Sequence, residues 1–440
     1  MPNKLPFAAS LGRSLRHRNY RLYLTGQLIS VCGTWMQQVA LAWLVYRLTG
    51  SATLLGAVGF ASQIPIFALS PIGGVISDRF SCHRILLVTQ SLALFQALLL
   101  AVLTLTGRIE VAHLILLGAV LGVVNAFDMP ARQSLVNQLV GPEDLSNAIA
   151  LNSSMINVAR IVGPGLAGLL VAKWGEGFCF LVNALSYLAV LWALLAMKLP
   201  ERRREADHQL SMTRSLIEGT RYIARTRPIR ALLALLGVTG LFGMTYMTLM
   251  PIFAAKIHGG GADVMGLMLG AVGLGALAGA LFLARRVELR GLGRIIMVTT
   301  IGFGFGLVVF SASHLFWLSL VILLGVGFCW MVLIAACNTV LQALAEDEMR
   351  GRVMSVFSMM LVGMAPFGSL IGGWLADRIG APLVVAIGGL FCAVAGALFA
   401  WQLPSLREAA LPILIARGMI PDPLNPISEV AVMARPGAPR

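Results

Sequence analysis

Nineteen acidic residues are spread along this chain, and one of them, Asp128, stands deep inside an apolar stretch. Arg160 is the one basic residue equally deep in another. Charged side chains avoid a bilayer interior unless they pair or serve a task, so a carboxylate there is by default a proton or substrate site. The turn between the two stretches centres near residues 142–143. In an antiparallel helix pair Asp128 and Arg160 would then differ in depth by about one turn, ~5.4 Å, which side-chain length covers. They are expected to face each other. Protonating Asp128 would weaken the pair, which outlines a proton-sensitive two-state element. The plainer reading is a structural ion pair at the cytoplasmic end of a cavity, since Pro130 could draw Asp128 toward the interface.

The elements that must position these residues are membrane helices. Of 440 residues, 58% are hydrophobic and 12% charged, with a mean hydropathy of +0.85. A soluble domain carries roughly 25% charge, so a bilayer must be the solvent of this chain. Twelve stretches are long and apolar enough to cross: 21–47, 52–77, 84–106, 111–137, 145–172, 178–198, 231–256, 264–284, 294–312, 315–343, 352–376 and 382–402. Lipid leaves helices as the way to satisfy the backbone of spans this long. The expected fold is therefore all-α and integral to the membrane.

Of the 33 Lys and Arg, 27 fall on the side that holds both termini, five on the other, and Arg160 within the membrane. That bias puts both termini in the cytoplasm. It also accounts for the net charge of +14 without a nucleic-acid partner. The basic segment 1–20 precedes an apolar stretch too long for a signal-peptide core, so the first span reads as an uncleaved anchor. The six cysteines show neither metal spacing nor a disulfide framework. No metal, cofactor or enzymatic constellation is expected. ATP drive is not expected either, because no phosphate-binding G-x-x-x-x-G-K-[ST] loop occurs.

The chain divides into an N-terminal half, 21–198, a cytoplasmic linker, 199–230, a C-terminal half, 231–403, and a tail, 404–440, expected to be disordered. The linker holds an amphipathic stretch, Ser215 to Ala224, that predicts a helix lying on the inner membrane face. The halves repeat at a constant offset of 204 residues: Gln138 matches Gln342, the acidic turn Glu143-Asp144 matches Asp347-Glu348, and Gly168 matches Gly372. Duplicated six-helix halves joined by a linker are a transporter architecture, with the site between them near the midplane.

Three strings carry a family resemblance. Gly74-Val75-Ile76-Ser77-Asp78-Arg79, continuing to Arg84, resembles the loop signature G-x-L-A-D-R-x-G-R-K of the major facilitator superfamily, with Ser81 and Cys82 as departures. The resemblance implies a latch: Asp78 pairs with the positive N-terminal end of span 11, beside Arg350 and Arg352. Ala159 to Gly168, with Gly163, Pro164 and Gly168 in place, resembles the antiporter signature G-x-x-x-G-P-x-x-G-G, which accompanies exporters. Proline bends the helix there, and small residues let another helix cross closely. The strings RNYRLYLTGQLIS and NAFDMPARQ are similar to the branch that includes the enterobactin exporter and related transmembrane secretion permeases. The branch implies two pseudo-symmetric six-helix halves in a bacterial inner membrane, and export of a small molecule, a siderophore or drug, by proton antiport.

A cavity for such cargo would be lined largely by apolar side chains. Its polar candidates are Gln27, Trp35, Gln37 and Gln38 on span 1, Gln63 on span 2, Asn125 on span 4, Asn152 and Asn157 on span 5, Tyr246 on span 7 and Asn338 on span 10. Residues of these types are more often helix–helix glue than ligand contacts. The expectation is a monomeric secondary exporter of amphipathic compounds. A facilitator or importer of a metabolite, or a lysolipid translocator, uses the same fold. A non-transporting receptor or scaffold is the reading from another class.

Overall fold

The computed structural model describes residues 12–197, 212–285 and 291–417. Twelve helices in it have the length and hydropathy of membrane spans: Arg18–Thr49, Ala52–Arg79, Cys82–Leu105, Val111–Leu139, Pro142–Trp174, Glu176–Ala196, Arg227–Ile257, Ala262–Ala284, Leu292–Ala312, Phe316–Leu344, Asp347–Ile379 and Ala381–Ile415. They are numbered spans 1 to 12 below. Each predicted stretch lies within or along one of these helices.

Local signals set several ends. Span 1 stops at Gly50, whose φ of 63° is the left-handed conformation that closes a helix. Ser51 then caps span 2 by accepting the Leu54 amide. Two ends differ from expectation. Span 11 begins at Asp347 rather than near 352, because its charged first turn is helical outside the apolar stretch. Span 12 runs on to Ile415, so residues 404–415 are helix and not a disordered tail. The prolines at 404 and 412 do not stop it, because Leu406, Ile413 and Leu414 pack on the core and hold the extension. The rest of the expected tail, from 418, lies outside the described residues.

The linker stretch forms a helix, Met212–Arg225, as predicted. It docks on the start of span 11: Arg352 pairs with Glu218 at 2.9 Å, and the Glu346 amide donates to the Tyr222 hydroxyl at 3.3 Å. The arginine cluster 202–204 lies outside the described residues. The N-terminal segment is tied down as well. Asp144, fully buried at the start of span 5, is held by Arg13, Arg16 and His17 at 3.2, 2.7 and 2.9 Å. An acid in the first turn of a helix also complements the helix dipole.

Helices next to each other in sequence are mostly not partners in space. In the first half span 1 packs on 5 and 6, span 2 on 4, and span 3 on 4 and 6. In the second, span 8 packs on 10, span 9 on 10 and 12, and span 7 on 11 and 12. Spans 4 and 5 touch little. Two pairs, 2 with 11 and 5 with 8, make most of the contact between the halves, and span 7 also touches spans 1 and 2.

Candidate functional site

Asp128 is 1% exposed, at the centre of the first half. On one carboxylate oxygen it accepts from the Thr89 hydroxyl at 2.9 Å and the Gln90 amide at 2.7 Å, both from span 3. Its other oxygen takes a hydrogen bond from Arg132, one turn along the same helix. The expected Asp128–Arg160 pair is not formed. That expectation assumed that spans 4 and 5 pack as a hairpin, whereas span 5 packs on spans 1 and 8 instead. The i,i+4 spacing brings Arg132 to Asp128 without any help from another helix. Among the described residues, Arg132 Nε, Gln90 Oε1 and the Tyr23 hydroxyl are buried without a hydrogen-bond partner. Buried polar groups without a protein partner call for a reason such as an ordered water or an ion.

The other polar candidates separate into two groups. Gln37 is not a cavity residue. It accepts from Asn183 at 2.7 Å and donates to Gln96 at 3.1 Å, and Gln96 donates on to the Leu117 carbonyl. This chain of amides ties spans 6, 1, 3 and 4 together inside the half, the glue role of buried polar groups in lipid. Gln27 is fully buried, and neither end of its amide has a partner among the described residues. Asn338 accepts from Gln342 one turn away, and Asn157 donates to the Ser153 carbonyl. Gln63 and Asn125 are half-buried, and the Asn152 side-chain oxygen is buried without a partner.

The antiporter-like string sits where span 5 is gripped from two sides. A Cβ built on Gly163 would fall 2.6 Å from that of Trp35 on span 1, and one on Gly168 would fall 2.8 Å from the Ala262 carbonyl of span 8. Arg160, one turn before Gly163, lies with its guanidinium 5.5 Å from the Trp35 ring centroid. Among the described residues it has neither ion pair nor hydrogen bond, and its Nε is buried. A lone cation at the bilayer centre costs at least about 2.5–3.5 kcal/mol. A cation–π contact returns roughly 0.5–2 kcal/mol of that. Tyr246, from span 7 of the other half, is 1% exposed with its hydroxyl unbonded, and lies within electrostatic reach of Arg160. Gln38, one turn from Trp35, is exposed.

The halves meet over only part of their length. Spans 2 and 11 touch from Ser51 and Asp377, through Gly56 and Ser369, Phe60 and Phe367, to Phe67 and Gly363. There span 11 makes a π-helical turn, Met359–Gly363. Its arm Asp347–Ser358 then packs on the linker helix, span 10 and span 7 rather than on span 2. Inserted turns of this kind bend helices and often mark functional sites. The molecule is therefore closed on the face opposite the linker and parted on the linker face.

Each face carries a carboxylate at the C-terminal end of one of these two antiparallel helices. On the linker face Asp78 is exposed and has no partner among the described residues. The expected latch to span 11 is not made: Arg350 pairs with Asp347 at 2.5 Å, and Arg352 is held by Glu218. Arg79 is exposed beside it. On the far face Asp377 caps span 2, accepting from Ser51 Oγ at 2.7 Å, the Ala52 amide at 2.7 Å and the Thr53 amide at 2.8 Å. Sequence reasoning missed Asp377. Its signal was present, since Gly373-Trp374-Leu375-Ala376-Asp377-Arg378-Ile379-Gly380 repeats the G-x-L-A-D-R-x-G pattern of the other end.

Close backbone approach seals the far face. A Cβ on Gly56 would stand 2.3 Å from the Ser369 carbonyl. Gly56→Val is therefore expected to prise spans 2 and 11 apart. Hydrogen–deuterium exchange of residues 51–60 reads this as faster exchange at unchanged expression; unchanged exchange would show that the contact is not what closes this face.

Comparison with known proteins agrees with the fold. The family model described as transmembrane secretion effector matches residues 9–426. The chain is 27% identical over 376 residues to the staphyloferrin A transporter of Staphylococcus aureus, covering 84% of this chain and 92% of that one. It is 26% identical to the multidrug efflux pump Tap of Mycolicibacterium fortuitum, over 89% and 97% of the two chains. It is 24% identical to the enterobactin exporter EntS of Citrobacter koseri, over 93% and 98%. Among solved structures, the nucleoside transporter NupG shares the fold with a TM-score of 0.67 at 15% identity, over 88% of this chain and 99% of that one. A bacterial homologue of the lysosomal transporter Spinster, in an inward-facing conformation, gives 0.65 at 13% identity, over 90% and 98%.

Proposed function

The chain belongs to the transmembrane secretion effector family of the major facilitator superfamily, and on that premise we propose that it is a monomeric proton-driven exporter of small amphipathic compounds, siderophore or drug-like, in a bacterial inner membrane. The observation that carries the reading is the buried, incompletely bonded Asp128–Arg132 pair inside a bundle parted on one face only. The charge bias makes the linker face cytoplasmic, so the arrangement described is open to the cytoplasm. A siderophore transporter, a siderophore exporter and a drug pump among the relatives support the cargo class.

In this reading cargo enters from the cytoplasm between the parted halves. Closing that face brings Asp78 to the start of span 11, where Arg350 and Arg352 stand, with Arg79 and Arg84 at the rim. The same motion must release Asp377 from span 2, because the two helices rock as levers about their contact. Protons from outside reach Asp128, weaken its hold on Arg132, and favour return. Protonation thus acts on one conformation more than the other, the condition for any ligand to shift an equilibrium.

Everted vesicles holding a proton gradient test this directly. Adding a siderophore or an aromatic drug is expected to release luminal protons only where the protein is present. Cargo uptake without proton movement would mean facilitated diffusion, and no response to any cargo would favour a receptor or scaffold.

A further inference from the structure

Resting on the transporter reading above, we propose that Arg160, with Trp35 and Tyr246, is a docking point for the acid group of the cargo, a carboxylate or ionised phenol carried on an aromatic ring. Three observations meet at this point. The first is placement. The Arg160 carbonyl and Ile161 are in contact with Gly273 of span 8, and span 5 meets span 8 from there to Gly168 on the far face. Arg160 is therefore at the linker-side edge of the contact between halves, where the parted space begins, and it is half-exposed.

The second is the missing partner. Among the described residues Arg160 has no carboxylate within salt-bridge distance and no hydrogen bond. Arg132, the other arginine deep in the first half, has Asp128. A guanidinium is always charged and presents a planar fork that matches a carboxylate or a pair of phenolate oxygens. An anionic cargo is the counter-ion that the fold omits, and a cationic cargo would be repelled.

The third is what surrounds it. The Trp35 ring lies 5.5 Å from the guanidinium and is held there by the close packing of Gly163. An aromatic ring attached to the acid can stack beside it. The Tyr246 hydroxyl, buried and unbonded, belongs to the opposite half. A donor from each half converging on one acid group would let cargo binding favour closure, since closure brings the second donor to the first.

The test is binding of radiolabelled salicylate, an aromatic acid, and tetraphenylphosphonium, an aromatic cation, to purified protein in lipid nanodiscs. Wild type is expected to bind salicylate. Arg160→Gln is expected to weaken it by about tenfold or more, the weight of one hydrogen bond to a charged group. Arg160→Lys, which keeps the charge and guards against misfolding, should lose less, because a point charge replaces the fork. Tyr246→Phe should weaken salicylate and leave the cation unchanged. The proposal is overturned if wild type binds no salicylate, or if Arg160→Gln binds it as tightly as wild type. Proton release by cargo in vesicles is read separately. Coupled export that survives in Arg160→Gln without any preference for acids would leave the exporter reading standing and remove this one. Arg160-dependent salicylate binding with no proton release would do the reverse.

Discussion

Asp128→Asn is expected to abolish cargo-driven proton release while cargo binding persists. The substituted amide neither takes up nor releases a proton where a carboxylate does, so the proton-sensing role proposed for this pair would be lost. The structure adds a cost that must be separated from the mechanism. Arg132, whose side chain is 24% exposed, would be left without its counter-ion, and removing one partner costs less than the about 3–5 kcal/mol of a fully buried pair. The single variant is therefore expected to be less thermostable as well as uncoupled. Asp128→Asn combined with Arg132→Gln removes both charges and should recover most of that stability. It should not recover coupling. Proton release in vesicles and thermal unfolding, measured on all three variants, distinguish the outcomes. Coupled export at wild-type rate in the double variant would make Asp128–Arg132 a structural pair and nothing more.

Asp377→Ala is expected to shift the molecule toward the state open on the far face. The carboxylate closes the free N-terminus of span 2 with a hydroxyl and two amides. Loss of such a cap costs roughly 0.5–2 kcal/mol, which is about two- to thirtyfold in the balance between the two states. Because the cap exists only when the far face is closed, that cost falls on one state alone. Exchange of the Ala52 and Thr53 amides should quicken by about the same factor. Asp78→Ala should act in the opposite sense, by removing the latch proposed between Asp78 and span 11 when the linker face closes. Equal exchange in Asp377→Ala and wild type would show that span 2 is held by its glycine packing and not by its cap.

Much of the architecture was legible because helix formation in lipid is a local property. Mean hydropathy over a window marks a span, with no knowledge of what packs on what. The duplicated acidic turn and the matching glycines exposed the two halves for the same reason. The linker helix was legible from its amphipathic period. The extension of span 12 was not, because the two prolines argue for a break and the packing of Leu406 and Leu414 overrides them. Asp377 was readable in principle, as a second copy of the G-x-L-A-D-R-x-G string. It passed as part of an apolar repeat because its partner, the start of span 2, is remote in the chain.

The sequence by itself determined that an acid and a base had to be accounted for inside the membrane, and that span 5 would carry a close helix crossing. Composition and spacing suffice for that, since burying a charge is costly wherever it lands. Only the tertiary structure decided which charges meet. Asp128 went to Arg132 through helical periodicity, and Arg160 was left to Trp35 and Tyr246 because span 5 turns away from span 4 toward spans 1 and 8. Gln37 became a tie between four helices for the same reason. Depth in the membrane can be counted along a chain, but the direction a side chain faces depends on which helices its own helix packs against.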